Sequence, residues 1–194
     1  MVHLTIEEWV NQLAAIPERD FTGPKISVFV SEHAIRPESL APYAFYASHY
    51  TRNLIYKCNL FEVLATCWQN GQQSLPHDHG GQNCWMATPV GRLRVQNFRV
   101  KERDAETRTC TLRATGSFDM DASHPARVEN DDPVHQVLNL REFGERAASV
   151  HIYSRPYDSC EIYHIERGIY STKKLDYWSV YGKRCRTKLE RADK

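Results

Sequence analysis

The sequence predicts a mainly β domain, an antiparallel sandwich or barrel, entered through a short helical segment. Three observations carry this. From residue 50 onward, short β-like runs follow one another, separated by polar or glycine-containing turns such as Gln69-Asn70-Gly71 and His79-Gly80-Gly81. The first residues instead show a capped pattern at helical spacing. The chain has 194 residues, 41% hydrophobic and 25% charged, which suits one domain or one domain with a helical extension. A chain of this length buries roughly 70% of the surface its unfolded form exposes, so it needs no disulfides to fold.

Thr5 and Glu8 form the T-x-x-E signature of a helix start, and Ile6, Trp9, Val10 and Leu13 then recur at helical spacing. Pro17 and Thr22-Gly23-Pro24 end that element. Ile26, Val28 and Val30 alternate like a strand, and Glu38 to Tyr50 reads as a helix. The expected strands after that are Thr51–Tyr56, Leu60–Trp68, Asn83–Thr88, Gly91–Val100, Thr107–Ala114, Arg127–Glu129, His135–Leu140, Ala148–Ser154 and Glu161–Ile165. The polar run Lys101 to Arg108 reads as a solvated hairpin end, and the basic run Lys183 to Lys194 as a frayed tail. Residues 1–49 are therefore expected to form a partly helical extension packed on a barrel made by residues 50–194.

Lys and Arg number 25 and Asp and Glu 24, so no overall basic field exists to hold nucleic acid or an acidic membrane surface. No apolar run approaches the ~20 residues that span a bilayer. Glu7 and Glu8 stand where a signal peptide needs positive charge and then an apolar core. The six cysteines are scattered, with no CxxC pair, and read as reduced thiols in a cytoplasmic protein.

His77-Asp78-His79 is the main chemical signal. On a strand, residues two apart share a face with Cα atoms about 7 Å apart, so both imidazoles can reach one metal ion while Asp78 points away. Alone, the triplet is a weak signal and reads first as two surface histidines in a loop. Its surroundings add to it. Gly71 lies six residues before His77, Cys84 five after His79, and Gly91 seven after Cys84. This spacing resembles the first cupin motif, G-x5-HxH-x3,4-E-x6-G, with Cys84 in place of the usual Glu. His135 and Asn139 resemble the H-x3-N ending of the second motif, without the Pro and Gly that normally precede it. The resemblance implies a double-stranded β-helix (jelly-roll) barrel with His77, His79 and His135 meeting a metal inside. Imidazole suits Fe, Ni, Zn and Cu. Three neutral ligands leave the full charge on a divalent ion, which favours an anionic ligand such as a thiolate.

Further segments resemble one family. They are Tyr50-Thr51-Arg52-Asn53-Leu54, Leu64-Ala65-Thr66-Cys67-Trp68, Pro76-His77-Asp78-His79 with Cys84, Ser149 to Ser154, and Pro156 to Cys160. Together they are similar to the cysteine dioxygenases, iron enzymes that oxidise cysteine to cysteine sulfinate. The resemblance implies Fe(II) on His77, His79 and His135, and Arg52 on the substrate carboxylate. It implies a thioether between Cys84 and Tyr153, His151 on the Tyr153 hydroxyl, and Ser149 orienting His151. Tyr50, Trp68 and Cys160 match positions around the pocket. Arg52 offers a planar fork for a carboxylate, and Ser149, His151 and Tyr153 alternate onto one strand face. Asp78, Cys58, Cys67, Cys110 and Cys185 are expected to have no catalytic role.

One departure stands out. Many members place a proline in a cis bond after the Ser154 equivalent, whereas here Arg155 precedes Pro156. A non-proline cis bond costs about 3 kcal/mol. Arg155 near the pocket is an added contact for the substrate carboxylate, and it keeps 3-mercaptopropionate open as the alternative substrate. A non-catalytic metal- or ligand-binding cupin is the reading from another class. It explains His77 and His79 but not Arg52, Cys84, His151 and Tyr153 together. The expected partners are a small thiol amino acid and dioxygen, with no nucleic acid and no membrane. The expected assembly is a monomer or weak homo-oligomer.

Overall fold

The structure, a computed structural model, describes residues 1–127 and 133–185. In chain order it holds β1 (Val2–Leu4), α1 (Ile6–Ala14), α2 (Gly23–Glu32), β2 (His33–Ile35), a 3-10 stretch at Pro37–Tyr43, β3 (Thr51–Lys57), β4 (Phe61–Trp68) and β5 (Cys84–Val90). There follow β6 (Leu93–Asp104), β7 (Thr109–Met120), β8 (Ala126–Arg127), β9 (Val134–Leu138), β10 (Ala147–Ser154), β11 (Ser159–His164), β12 (Ile169–Lys174), β13 (Ser179–Val180) and β14 (Lys183–Arg184). The fold is mainly β, a jelly roll of two facing sheets with helices at the N-terminal side. The larger sheet runs β14-β13-β3-β4-β10-β5-β8 and the smaller β11-β12-β7-β6-β9. Among the described residues, hydrogen bonding does not join the two sheets into one closed barrel. No helix among them is long and apolar enough to cross a membrane.

The larger sheet is covered on both faces, which explains why all eight residues of β4 are buried. Phe61, Val63 and Ala65 of β4, Trp85 of β5, and Val150 and Ile152 of β10 pack under Trp9, Leu13 and Ile26 of the helices. On the other face, Leu54, Leu64 and Met86 meet Leu93, Val95, Met120 and Val137 of the smaller sheet. A strand buried on both sides reads as an unbroken apolar run, so a polar residue within it stands out.

α1 starts as predicted. Glu8 N donates to Thr5 Oγ1 at 3.2 Å and Thr5 N donates to Glu8 Oε2 at 2.8 Å, a reciprocal cap in which the Thr side chain alone is worth about 1 kcal/mol. The strand expected at Ile26–Val30 is corrected to α2. Thr22 and Pro24 open a helix there, and Ile26, Phe29 and Val30 form its buried face at helical spacing, while Val28 is 52% exposed. The helix expected over Glu38–Tyr50 shrinks to the 3-10 stretch, where Pro42 removes a backbone donor. The run Lys101 to Arg108 is the exposed end of the β6–β7 hairpin, with strand pairing reaching Asp104. Of the strand expected at Arg127–Glu129, residues 128 and 129 lie outside the described residues. The tail expected to fray begins paired, since Lys183 and Arg184 form β14 against β13. Residues 186–194 lie outside the described ones. β12 and β13, which pair with β11 and β3, lie outside the expected strands, and Cys160, Ile162 and Lys173 of the β11–β12 pair line one side of the pocket.

Candidate metal centre and pocket

The segment after β4 does not form a long strand. It threads between β9 and β11. His77 N donates to His135 O at 2.9 Å and His135 N returns to His77 O at 3.0 Å. Tyr163 N donates to Pro76 O at 2.9 Å, and Glu161 N to Asp78 Oδ1 at 2.8 Å. Asp78 thus fastens this segment to β11 and points away from the histidines. Gly71 and Gly91 bracket the segment in left-handed conformations, φ +87° and +69°. A Cβ on Gly91 would lie 2.6 Å from Arg146 O, which leaves no room for a side chain. Asn139 holds the loop end through Nδ2 to Glu145 O at 2.9 Å.

His77, His79 and His135 converge, with one ligand atom from each lying within 4.8 Å of the others. His77 Nδ1 donates to Leu75 O at 2.9 Å, and a carbonyl can only accept, so the Nε2 lone pair is free. Nε2 of His79 and both ring nitrogens of His135 are buried without a hydrogen-bond partner. A buried polar atom left so costs about 1–3 kcal/mol. Burial first, and then the neighbouring His77, hold His79 and His135 well below the usual imidazole range. Neutral imidazoles, each with a ring nitrogen left free, are the donor set that a divalent transition metal takes, so these residues fit such an ion.

Beside the three rings opens a cavity of about 160 Å³, lined among others by Tyr50, Arg52, Trp68, His77, His151 and Tyr153. Drug-sized pockets span roughly 300–1,000 Å³, so this one suits a smaller molecule. Tyr50 and Trp68 stack at 4.5 Å between centroids and form one wall. Arg52 reaches in from β3 with its side chain 12% exposed. Its closest polar contact, Nη1 to Asp176 O, is 3.5 Å. The guanidinium edge is therefore not consumed by short bonds.

β10 supplies a row of polar groups on the same side. Trp68 Nε1 donates to Ser149 Oγ at 3.1 Å, Ser149 Oγ and His151 Nε2 are 2.8 Å apart, and His151 Nδ1 and Tyr153 Oη are 3.1 Å apart. Burial pushes His151 down to about 3 and raises Tyr153 well above the ordinary phenol range. At neutral pH the imidazole is neutral and the phenol protonated. A neutral imidazole has one donor and one acceptor, so this row runs in one sense at a time and can pass a proton along itself. The Tyr153 ring lies 5.6 Å from that of His79, which places the row against the three histidines. Cys84 pairs directly across from Tyr153 on β5, and its thiol, raised by burial, lies 3.9 Å from His151 Nδ1. Cys160 also lines the cavity, with burial raising its thiol to about 11.

One expectation is corrected. Arg155 is not in the pocket. Its side chain is 69% exposed and lies 4.0 Å from Glu18 on the outer surface. Its backbone takes φ +60°, and no peptide bond among the described residues is cis. That left-handed turn aims the side chain away. Conversely, Tyr157 and Lys173 line the cavity and were not singled out. Tyr157 sits edge-on to Tyr153 at 5.2 Å, inside a segment already quoted for its resemblance. Glu62, fully buried beside Arg52, was also passed over, although an acid inside the run Phe61–Trp68 was visible.

The family model for cysteine dioxygenase type I matches residues 25–166. The chain belongs to this family. It is 26% identical to cysteine dioxygenase type 1 of Danio rerio over 183 residues, covering 93% of this chain and 89% of that protein. It is 25% identical to the Homo sapiens protein of the same name over 169 residues, covering 84% and 82%. Among solved structures, a conserved protein with a double-stranded β-helix domain from Klebsiella pneumoniae aligns over 60% of this chain and 81% of its own, at 15% identity and a TM-score of 0.45. The match to the cysteine dioxygenase type I family spans nearly all of α2, the strands from β2 to β11 and all the histidines of the site described above.

Proposed function

We propose that the protein is an Fe(II)-dependent thiol dioxygenase that adds both atoms of O2 to the sulfur of L-cysteine, giving cysteine sulfinate. The observation that carries this reading is the convergence, at one cavity, of three imidazoles that each keep a ring nitrogen free, the underused Arg52 guanidinium and the Ser149–His151–Tyr153 row. Fe(II) on His77, His79 and His135 supplies the redox chemistry that couples dioxygen to a thiol. The remaining steps belong to the chain's own residues. Arg52 donates to the substrate carboxylate, and a hydrogen bond of this charged kind contributes roughly 1.5–3 kcal/mol. Tyr50 and Trp68 close one wall and exclude water. Tyr153 holds a proton at its hydroxyl beside the reacting sulfur, while His151 keeps that hydroxyl in place. Ser149, fixed by the Trp68 N–H, sets the His151 ring.

Cys84 faces Tyr153 across the β5–β10 pair, which supports a thioether between them. Its formation joins the sulfur to a ring carbon and passes two hydrogens to dioxygen, so the intact mass falls by about two hydrogen masses. Cys84→Ala abolishes that change. A constant mass in active, oxidised protein removes the cross-link from this account.

Oxygen uptake by iron-loaded protein, with the product identified by mass spectrometry, tests the activity. L-cysteine is expected to yield sulfinate with one O2 consumed per thiol. No uptake under reducing, iron-loaded conditions overturns the proposal. Parallel assays with 3-mercaptopropionate check the substrate. L-cysteine is expected to be preferred, because the Arg that kept the other thiol acid open points to solvent.

A further inference from the structure

Glu62 sits on β4 with its side chain fully buried, facing the pocket side of the sheet, the only acid in a run of otherwise neutral residues from Phe61 to Trp68. A buried carboxylate needs partners. One oxygen, Oε2, accepts from the Tyr177 hydroxyl at 2.6 Å and lies 3.6 Å from Lys57 Nζ. The other, Oε1, has no hydrogen-bond partner and lies 4.0 Å from Arg52 Nη2. That distance is within ion-pair range but beyond a hydrogen bond. Glu62 therefore attracts the guanidinium without occupying its donors. A bidentate pair would have consumed the fork that a carboxylate ligand needs.

Tyr177 is not loosely placed. It belongs to a strap, residues 176–181, that runs parallel to β3. Trp178 N donates to Arg52 O at 2.7 Å, Tyr181 N to Leu54 O at 2.8 Å, and Ser179 Oγ to Asn53 Oδ1 at 2.9 Å. The strap is thus bonded to the backbone that carries Arg52. The Tyr177 ring also lies 5.7 Å from the Arg52 guanidinium carbon. The hydroxyl fixes one carboxylate oxygen and leaves the other toward Arg52.

We infer that Glu62 and Tyr177 are positioning residues that set the Arg52 guanidinium for a substrate carboxylate. This rests on the proposed role of Arg52. The rival route goes through Tyr153, which pairs with Glu62 across the β4–β10 ladder. The two routes differ in what they affect. Disturbing Tyr153 alters every thiol substrate alike, whereas disturbing Arg52 alters only those with a carboxylate.

The test compares L-cysteine with cysteamine, which lacks the carboxylate, in iron-loaded protein. Steady-state kinetics and anaerobic calorimetric titration both serve as readouts. Glu62→Gln is expected to raise KM and Kd for L-cysteine about tenfold, equivalent to ~1.4 kcal/mol. Its kcat and its KM for cysteamine stay within about twofold. Tyr177→Phe is expected to raise the L-cysteine values about threefold, and it decides the matter if Glu62→Gln does not fold. In an Arg52→Gln background Glu62→Gln adds nothing. Equal effects on the two thiols, or none on either, overturn the inference while leaving the Arg52 reading intact. Failure of the unaltered protein to favour L-cysteine over cysteamine overturns both.

Discussion

The two faces of β10 divide the labour of the molecule. Ala148, Val150 and Ile152 lie against the helix-side core, where size and apolarity are the only demands. Ser149, His151 and Tyr153, one residue away in each case, carry a row of hydrogen bonds into the pocket. The two sets share the same backbone, the same neighbours β4 and β5 and the same degree of burial. What separates them is a half-period of the strand. Apolar contacts hold the sheet in place, and the polar face inherits its precision from that rigidity.

The sharpest break between the two is a metal-side change. His135→Ala is expected to lower bound iron below about a tenth of the unaltered level and turnover by about a hundredfold or more, with melting of the metal-free protein little changed. Iron analysis beside a thermal melt checks this. On the packing face, Ile152→Ala is expected to cost about 2–5 kcal/mol of stability through the cavity it leaves. Its kcat/KM below the melting range should stay within about threefold. A large loss of activity at full stability would erase the distinction between the faces.

Of the two faces of β10, acid acts on the polar one, as it does on the buried His79 and His135 beside it. Burial lowers His151 to about 3 from an ordinary value of 6.5. The unfolded chain therefore binds a proton that the folded chain refuses. The contribution is complete above pH 6.5 and is lost as pH falls toward 3. At pH 5 the metal-free protein is expected to have lost about 2 kcal/mol from this group. His151→Gln should reduce the slope of the pH–stability curve there by the share of one proton, and an unchanged slope would refute the assignment. The smallest effect falls on Ser149→Ala. It removes the partner of the Trp68 N–H and of His151 Nε2. An approximately tenfold fall in kcat is expected, corresponding to ~1.4 kcal/mol, while metal content holds. Loss of metal together with kcat would mean that the row braces the histidines instead.

Much of this was legible in the chain. HxH with its flanking glycines located two ring positions, because the tight turns at Gly71 and Gly91 demand left-handed backbone and so leave a trace. Alternation exposed the polar face of β10. The cap at Thr5 and Glu8 marked α1 because its chemistry is local. α2 reads as a strand because Ile26, Val28 and Val30 satisfy a two-residue period, whereas Ile26, Phe29 and Val30 satisfy the helical one and are the residues the structure buries. Arg155 was misplaced because its direction depends on a backbone φ that sequence does not display. Glu62 and Tyr177 meet across 115 positions. Pairings of that span leave no periodic or local signature, so neither residue announces its partner.

The strap along β3 also bears on how the molecule is made. During synthesis the three imidazoles, Arg52 and the β10 row leave the ribosome before residues 176–181, whose pairing with β3 is the last piece of this wall to arrive. A nascent chain halted just short of Asp176 already carries the three imidazoles, Arg52 and Glu62, but lacks Tyr177, whose hydroxyl fixes the Glu62 carboxylate. If the proposed roles hold, loading with metal and maturation of substrate selectivity would be separable events in time, and truncated ribosome-bound chains would let each be watched on its own.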